Sequence, residues 1–398
     1  EGVEFGAVCD VYDANAGVAR EWAGAGCKAV GDFRKVLEMK EVDAVLIATP
    51  DHWHSIPAVL ACAAGKDVYV EKPLAHTIVE GRKILDAARK YSRVVQVGTQ
   101  HRSAPHYAEA AKIVQGGEMG AVHFVRIWNY LNMSPEGIGK AEDSEVPEGV
   151  DWDMYLGPSK KASFNKNRFV GTYRWFWDYG GGLVTDFGTH RFDSLHQVMG
   201  VDGPVKVSAS GGRYFLRDGA ETPDVVQVTY EYANFILSYE ASMLNGGGTG
   251  IRTEGKKYYQ ARGKTDRPHG EAFYGTNGTL MSDRLGFEVL PELKLGKRDR
   301  TLSRPAEVEG IRMRGREVSG DDATGLHVKN FIECVRARKK PNADVEIGHR
   351  ASIVGHLGNI AYKTGRKIQW DGVKEEIVGD GEASKLLSRE MRKPWDLI

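Results

Sequence analysis

The chain has 398 residues, more than one hydrophobic core usually serves, so two domains are expected. Its 54 Lys and Arg residues balance its 54 Asp and Glu residues, which argues against nucleic acid or a charged membrane surface as a partner. Four widely spaced cysteines show neither a disulfide framework nor a zinc motif. No apolar run is long enough to span a bilayer, so we predict a chain with no membrane partner.

The first third of the chain alternates short apolar strands with amphipathic helices. The predicted strands are 4–9, 44–48, 67–70 and 94–97, and the predicted helices are 14–23, 55–64 and 78–91. This alternation is typical of βαβ units and of a parallel sheet that is covered on both faces. We therefore predict a Rossmann-type α/β domain, suited to binding a dinucleotide, over residues 1–123.

After about Val122 the pattern changes to longer strands with polar residues at alternate positions. The predicted strands are 205–210, 225–232 and 235–242, and the predicted helices are 190–199, 327–337 and 348–364. Alternation of this kind suits a largely antiparallel sheet with one packed face and one face nearer to solvent. We predict an α+β domain over residues 124–398.

The beginning of the chain lacks part of the expected fold. A dinucleotide-binding domain normally opens with a strand and a glycine-rich turn, and an acidic residue follows about 20 residues later, at the end of the second strand. Asp10 occupies that acidic position, yet only nine residues precede it. Loss of the first strand, which lies in the middle of such a sheet, would expose two strand edges. We expect the sequence to be an N-terminally truncated part of a longer protein, located in the cytoplasm or exported to the periplasm.

Several polar residues follow the predicted parallel strands, where ligands bind in open sheets of this kind. The candidate cofactor-binding residues are Asp10, Thr49, Pro50, His52, His54, Glu71, Lys72, Pro73 and Gln100. The carboxylate of Asp10 would accept hydrogen bonds from a ribose hydroxyl and repel a ribose phosphate, which favours NAD over NADP. The alternative is that Asp10 caps a helix. The spacing of His52 and His54 is not accompanied by a recognisable third ligand, so no metal site is predicted.

Three ionisable residues form the candidate catalytic set. Lys72 offers an ammonium that would hold a hydroxyl and lower its pKa in a desolvated crevice. Asp186 and His190 are four residues apart and share one face of a helix. His190 would accept the hydroxyl proton, and Asp186 would bind substrate or orient the imidazole ring. The alternative is that Asp186 caps the helix and His190 is a core residue. Glycines 180–182 precede this pair and allow a ligand or the backbone to approach closely.

An aromatic segment lies just before these glycines and suggests the substrate. Aromatic faces cover the C–H faces of sugars, while neighbouring polar groups bind hydroxyls. The candidate substrate-binding residues are Arg102, Trp152, Arg174 and Trp175, together with Lys72, Asp186 and His190. For any single aromatic residue, core packing is the alternative. As a group they predict a polyol or glycoside ligand.

Four segments in this order and spacing resemble the Gfo/Idh/MocA oxidoreductase family, which includes glucose–fructose oxidoreductase and inositol dehydrogenase. They are AVCD at 7–10, ATPDHWH at 48–54, EKPLA at 71–75 and GGGLVTDFGTHRFD at 180–193. The resemblance implies that the first domain holds NAD or NADP and that the second forms dimers or tetramers. It also implies that Lys72 is the catalytic lysine and that Asp186 and His190 form the substrate-site dyad. The opening glycine-rich turn is missing, so no residue is assigned to the cofactor phosphates.

The function that we predict is reversible, NAD(P)-dependent oxidation of a secondary alcohol of a sugar, glycoside or cyclitol. One alternative is an NAD-dependent glycoside hydrolase, which oxidises its substrate transiently, eliminates the aglycone and reduces the product. The segment 184–190 is closer to that of the dehydrogenases, which lack the tyrosine-containing motif of that branch. A second alternative is a non-catalytic, cofactor-binding relative. Both Lys72 and His190 are present, which argues against it.

Overall fold

The computed structural model describes residues 2–24, 26–245, 268–296, 308–396 and 398. In its first part, short strands alternate with helices in this order: β1 (Ala7–Cys9), α1 (Asp13–Ala23), β2 (Lys28–Val30), α2 (Phe33–Glu38), β3 (Ala44–Ile47), α3 (Ser55–Ala63), β4 (Asp67–Val70), α4 (Ile78–Lys90), β5 (Val95–Val97) and α5 (Pro105–Gln115). Strands β1 and β2 pair in parallel, and β3, β4 and β5 form a separate parallel sheet in that order. The parallel strands and their helices agree with the predicted α/β part.

Local sequence explains why α4 begins and ends where it does. The hydroxyl of Thr77 accepts a hydrogen bond from the backbone N–H of Glu80 at 3.3 Å, which caps the amino end. Arg89 and Lys90 lie in the last turn, where positive charge complements the helix dipole. Between these ends, Ile84 is fully buried, and it packs in the same core as β4 and β5. This helix covers one face of the parallel sheet and holds the strand ends in position.

The second part is built on a large mixed sheet. Its elements are β6 (Val122–Tyr130), α6 (Trp152–Leu156), α7 (Gly182–Met199), β7 (Lys206–Gly212), β8 (Val225–Glu231), β9 (Ile236–Ser242), β10 (His269–Gly275), β11 (Gly278–Asp283), β12 (Gly286–Pro291), β13 (Leu293–Leu295), β14 (Val308–Ile311), β15 (Arg316–Ser319), α8 (Thr324–Ala337), α9 (Val345–Thr364), β16 (Ile368–Asp371), β17 (Glu376–Ile377) and α10 (Gly381–Ser384). Ten strands pair in the order β15-β12-β11-β10-β6-β9-β8-β7-β16-β17. All neighbours are antiparallel except β6 and β9, which agrees with the predicted, largely antiparallel sheet.

The packed face of this sheet lies against α7 and α9. On β8, Val226, Val228 and Tyr230 are buried, whereas the residues between them face away from the core. Most residues of α7 and α9 are themselves buried, because the two helices also pack against each other. Within the described ranges, no helix has both the length and the apolar character needed to cross a membrane.

The two parts of the chain are joined by more than one contact. The backbone N–H of Val97 in β5 donates to the carbonyl of Ala343 at 3.0 Å, and Val345 of α9 packs in the core of the parallel sheet. Helix α5, which we assigned to the first domain, packs against α7 of the second. The boundary between residues 123 and 124 therefore stays a prediction.

Candidate active site

Lys72, at the end of β4, reaches across to α7. Its ammonium donates to the backbone carbonyl of Asp186 at 3.0 Å and also pairs with the carboxylate of that residue. Arg174 lies on the other side, with its Nε atom 3.0 Å from Asp186 Oδ2. This second contact is an ion pair without hydrogen-bond geometry, since Arg174 Nε has no hydrogen-bond partner among the described residues. Two residues that are far apart in sequence, Lys72 and Asp186, are therefore brought together.

The carboxylate of Asp186 is charged in this arrangement. Burial by itself raises the pKa of Asp186, but the Lys72 ammonium and then the Arg174 guanidinium outweigh it, and the net pKa lies below the ordinary value. A charged Asp186 in turn keeps the Lys72 side chain in a fixed position beside α7. Because an ammonium has three donors and Asp186 takes two, Lys72 retains one N–H for a ligand oxygen.

His190 lies one helical turn after Asp186 and is held as a neutral imidazole. Burial is the largest cause that lowers the pKa of His190 well below its usual value, and the Lys72 ammonium is the second. Its Nδ1 atom is buried and has no hydrogen-bond partner in the part of the chain that the structure describes. Asp186 therefore does not orient the ring through Nδ1, and of the two roles that we predicted for it, the geometry favours contact with substrate and with Lys72.

His101 packs beside His190 and has a defined tautomer. The two rings lie 5.3 Å apart between centroids. Arg284 donates from Nε to His101 Nε2 at 2.9 Å, so that nitrogen carries no proton, and His101 Nδ1 lies 3.0 Å from the hydroxyl of Ser194. That hydroxyl donates to the carbonyl of His190 at 2.9 Å. A neutral His101 is thus anchored on α7 beside the candidate base.

Asp51 is a site residue that the sequence analysis missed. It follows β3, is only 4% exposed, and accepts a hydrogen bond from the Tyr173 hydroxyl at 2.9 Å. Burial raises the pKa of Asp51 to about 7, and the negative charge of Asp186 adds to this shift, while Lys72 opposes it. The position of Asp51 after a predicted strand was the signal available in the sequence, but Asp51 was not included among the candidate residues.

The three glycines before α7 serve the protein's own packing. A side chain at Gly180 would meet the backbone of Arg174 at 2.9 Å, and one at Gly181 would meet the Thr185 hydroxyl at 2.4 Å. Gly182 has φ +61°, which L side chains rarely adopt, and it lies against Thr222. We predicted that these glycines allow either a ligand or the backbone to approach closely. The structure shows close approach of other parts of the same chain.

The predicted cofactor-binding residues lie at the carboxyl ends of the parallel strands. Asp10 follows β1, and its carboxylate accepts from the backbone N–H of Tyr12 at 2.9 Å. Thr49 and Pro50 begin the turn after β3, where Thr49 is exposed and Pro50 is half-buried. Gln100 is half-buried and begins a short 3-10 turn after β5. Each of these residues follows a parallel strand, which is where ligands bind in folds of this type.

Two histidines in the turn after β3 are buried. His52 Nε2 lies 2.9 Å from the carbonyl of Tyr155, while its Nδ1 has no partner among the described residues. His54 lies 2.7 Å from the carbonyl of Pro73 through Nδ1 and 2.9 Å from that of Thr49 through Nε2. Burial outweighs both carbonyls and lowers the pKa of His54, so the neutral ring donates to one of them at a time. His54 thus joins this turn to the segment that carries Lys72.

Glu71 and Thr99 complete this edge. The Glu71 carboxylate accepts from the backbone N–H of Lys72 at 3.3 Å and occupies the space where a Gly98 side chain would lie. The Thr99 hydroxyl is buried and has no partner within the described ranges, like Nδ1 of His52. Buried polar atoms without partners are uncommon in folded proteins. Their presence at the strand ends fits a polar ligand, such as a dinucleotide, at this edge.

Three of the predicted substrate-binding residues are engaged in packing or ion pairing within the protein. Trp152 and Trp175 are buried in the main hydrophobic core, as the packing alternative predicts. The guanidinium of Arg102 donates from Nε to both carboxylate oxygens of Asp193, at 3.0 and 3.1 Å, and Asp193 is fully buried. Arg174 contacts the candidate catalytic set through its ion pair with Asp186. In the described part of the chain, no three His, Cys, Asp or Glu side chains are grouped as a metal site would require.

Comparison with known proteins identifies the family. The model of the oxidoreductase family with an NAD-binding Rossmann fold matches residues 1–99. The model of the C-terminal alpha/beta domain of the same family matches residues 96–251 and 319–397. The chain belongs to the Gfo/Idh/MocA oxidoreductase family. The resemblance predicted from the motifs is therefore confirmed, as is the combination of a Rossmann-type domain with an α+β domain.

Individual members of the Gfo/Idh/MocA family match to different extents. The scyllo-inositol 2-dehydrogenase (NAD(+)) of Bacillus subtilis is 35% identical over 361 residues, which cover 87% of this chain and 83% of that protein. Other matches are shorter: the oxidoreductase ORF334 of Rhizobium meliloti is 30% identical over 165 residues, or 41% of this chain. The chain spans about half the length of that relative, 48%. A levoglucosan dehydrogenase structure with NADH and levoglucosan has the same fold, with a TM-score of 0.62, 18% identity and coverage of 92% and 90% of the two chains.

Proposed function

We propose that the protein is an NAD-dependent oxidoreductase that interconverts a secondary alcohol and a ketone on a sugar, glycoside or cyclitol. The observation that carries this proposal is the contact between Lys72, which follows β4, and Asp186, one turn before His190 on α7. It joins the strand ends of a nucleotide-binding sheet to a neutral imidazole. The relative named scyllo-inositol 2-dehydrogenase (NAD(+)) and the structure titled levoglucosan dehydrogenase support a polyhydroxylated substrate.

Each side chain of the candidate catalytic set would have a separate role in alcohol oxidation. NAD, when bound, supplies the hydride acceptor. The free N–H of Lys72 would donate to the substrate hydroxyl oxygen, which favours loss of the hydroxyl proton. His190 accepts that proton, because burial and the nearby ammonium keep its imidazole neutral. Asp186 holds the Lys72 ammonium in place with its carboxylate and its backbone carbonyl.

Asp10 supports a preference for NAD over NADP. Its carboxylate lies at the end of β1, where an acidic residue binds the ribose hydroxyls of NAD in folds of this type. A ribose phosphate would meet this negative charge, and Asp13 adds a second carboxylate in the first turn of α1. We expect kcat/KM for NAD to exceed that for NADP, and replacement of Asp10 by Ala to reduce the ratio. A higher value for NADP in the unmodified protein would contradict this preference.

We also propose that the protein is a homo-oligomer, a dimer or a tetramer, that associates through the large sheet. The face of this sheet that points away from α7 and α9 carries exposed side chains such as Gln227 and Ile236, and Ile236 is 45% exposed. The Arg126–Glu240 ion pair lies on neighbouring strands of the same sheet. Light scattering coupled to size-exclusion chromatography tests this proposal, and a monomer at micromolar concentration would contradict it.

The direct test of the enzymatic proposal is an oxidation assay. The protein is mixed with NAD and a panel of sugars, methyl glycosides and inositols, and formation of NADH is followed by absorbance. We expect turnover with at least one member of the panel. Binding of NADH, measured separately by fluorescence, shows whether the cofactor site is intact. Cofactor binding without turnover of any carbohydrate would contradict the proposal.

A further inference from the structure

A cavity of about 290 Å³ lies next to the catalytic set. Its wall is formed by the turn after β3, the segment before α7, one side of α9 and the C-terminal residues. Among the lining residues are Asp51, Asp178, Thr185, Asn359, Lys363 and Glu390. Its volume is at the lower end of the range for small-molecule sites, roughly 300–1,000 Å³.

The cavity shares a wall with the catalytic set. Asp51, which lines it, accepts a hydrogen bond from Tyr173, and the next residue, Arg174, pairs with the Asp186 carboxylate. Thr185, which also lines it, directly precedes Asp186 on α7. The cavity therefore adjoins the residues that surround the Lys72–Asp186 contact.

Two polar side chains in the cavity wall are almost fully buried and incompletely bonded. The amide nitrogen of Asn359 donates to the carbonyl of Gly181 at 2.9 Å, but its Oδ1 atom has no partner among the described residues. The hydroxyl of Thr185 also has no hydrogen-bond partner among the described residues. Asn359 is 7% exposed and Thr185 is 1% exposed. Buried polar atoms in this state are costly unless a ligand or a water molecule bonds to them.

The charges around the cavity are balanced. Apart from the buried Asp51 and the paired Arg389, Lys160 and Lys363 contribute two cations, Asp178 and Glu390 contribute two carboxylates, and these four side chains are exposed. Lys363 lies over the ring of Trp177, 4.0 Å from its centroid, which fixes the ammonium at the wall. The concave wall restricts its hydration, and this desolvation lowers the pKa of Lys363 to about 8 although more than a third of its surface is exposed.

This combination fits a neutral ligand with many hydroxyl groups. A strongly anionic group would meet as many carboxylates as ammonium groups, and the third cation of the wall, Arg389, is already paired with Glu80 at 2.6 Å. An apolar ligand would leave the buried Asn359 and Thr185 atoms without partners. Hydroxyl groups both donate and accept, so a sugar ring bonds to ammonium, carboxylate and amide groups at once.

We propose that this cavity binds a second sugar ring of the substrate, so that the preferred substrate is a disaccharide or another glycoside with a sugar aglycone. Lys363 and Asp178 act as specificity-determining residues that donate to and accept from the hydroxyls of that ring. The chemistry at the first ring rests on the proposed oxidoreductase function. Binding in the cavity does not depend on it and can be measured separately.

The test compares disaccharides with their own monomers. The panel is glucose, galactose and myo-inositol against cellobiose, maltose, lactose and galactinol, and both kcat/KM with NAD and the affinity for NADH-loaded protein by calorimetry are measured. We expect at least one disaccharide to exceed its better monomer by tenfold or more in both quantities. In Lys363→Met and Asp178→Asn, this ratio falls about tenfold, as expected for loss of one hydrogen bond to a charged group.

A matched control separates this effect from loss of surface charge. Lys329 on α8 is exposed, pairs only loosely with Glu333 at 3.8 Å, and does not line the cavity. Lys329→Met is expected to leave the ratio of disaccharide to monomer unchanged. An equal fall in Lys329→Met and Lys363→Met would overturn the assignment of Lys363.

The outcomes distinguish the two proposals. Oxidation of monomers with no disaccharide favoured would overturn the cavity proposal and leave the oxidoreductase function standing. Calorimetric binding of a disaccharide that Lys363→Met weakens about tenfold, without any oxidation, would support the cavity and count against the function. Tighter binding of UDP-glucose than of every disaccharide would overturn the proposal that the cavity binds a neutral ligand. Absence of both binding and oxidation across the panel would overturn both proposals.

Discussion

Lys72 donates a hydrogen bond to the backbone carbonyl of Asp186 at 3.0 Å, and the same ammonium pairs with the Asp186 carboxylate. The contact joins the end of β4 to the first half of α7, across 114 residues of sequence. Because His190 lies one turn further along α7, the ammonium also acts on the imidazole and lowers its pKa. One pair of residues thus connects the predicted cofactor edge with the candidate base.

Replacing His190 by Asn is expected to reduce kcat by about 10²- to 10⁴-fold, the contribution typical of a general base. Binding of NADH should remain, because His190 lies on α7 and not at the strand ends. Absorbance of NADH gives the rate, and fluorescence gives the affinity. The matched control is His123→Asn, an exposed position on β6. Equal rates in the His190 variant and in the control would remove His190 from the mechanism.

The activity of the unmodified protein should be lost on acidification only at a pH below the ordinary histidine value. In the proposed mechanism His190 acts as a base when it is unprotonated, and burial, followed by the Lys72 charge, lowers its pKa well below 6.5. The acidic limb of kcat/KM therefore lies below about pH 6.5. In Lys72→Met the positive charge is gone, so the pKa of His190 rises toward 6.5, which NMR titration of the ring measures. A pKa that is unchanged or lower in the variant would contradict the coupling.

Asp51→Asn is expected to stabilise the fold at neutral and higher pH. Burial raises the pKa of Asp51 from 3.8 to about 7, so the native state binds more protons than the unfolded state between these values. The free energy of unfolding therefore falls as the pH rises from about 4 to about 7, by up to about 4 kcal/mol in total. The neutral amide of the variant would avoid this cost, and its carbonyl oxygen would still accept the Tyr173 hydrogen bond.

Urea denaturation of both proteins at about pH 5 and about pH 8 measures this effect. The advantage of Asp51→Asn over the unmodified protein should be larger at the higher pH, because the unmodified carboxyl is then ionised. Asp143→Asn serves as the control, since Asp143 is exposed and accepts a hydrogen bond from the amide of Asn165 at 3.0 Å. An advantage that does not change with pH would show that the pKa of Asp51 is not raised.

Arg102→Met is expected to destabilise the protein by about 3–5 kcal/mol, because Asp193 would be left as a buried charge without its partner. The double variant Arg102→Met, Asp193→Asn should recover part of this loss. Denaturant unfolding of the two variants and of Asp193→Asn completes the cycle. If Arg102→Met instead left stability unchanged and raised KM for the sugar, the substrate-binding role predicted from sequence would be the better description.

Local sequence patterns predicted the fold class and several of its elements, but of the large sheet only the strands β7, β8 and β9. The predicted helix 78–91 corresponds to α4 (Ile78–Lys90), and the strand 225–232 corresponds to β8 (Val225–Glu231). Among the elements that were predicted, the largest shift is that of α7, which begins at Gly182, eight residues before the predicted start at His190. Glycines 180–182 were interpreted only as positions of close approach, yet the helix begins at Gly182, whose φ of +61° and packing against Thr222 suit a glycine.

Part of the candidate site was also visible in the sequence. Lys72, Asp186 and His190 were predicted from motif and position, and the structure brings Lys72 and Asp186 into contact. Asp51 was not predicted, because its importance depends on burial and on Tyr173, more than a hundred residues away. Trp152 and Trp175 had the residue type of a sugar site, yet both pack in the core. A side chain's type does not state which way it faces.

By itself the sequence determined the alternation of strands and helices in the first part, the family and the three ionisable candidate residues, because periodicity and short motifs are local properties of the chain. Only the tertiary structure decided that Asp186 binds Lys72 and Arg174 instead of orienting His190, that Arg102 is held by Asp193, and that a polar cavity adjoins Asp51. The physical reason is that burial and charge pairing set the state of each of these groups, and both depend on residues distant in sequence.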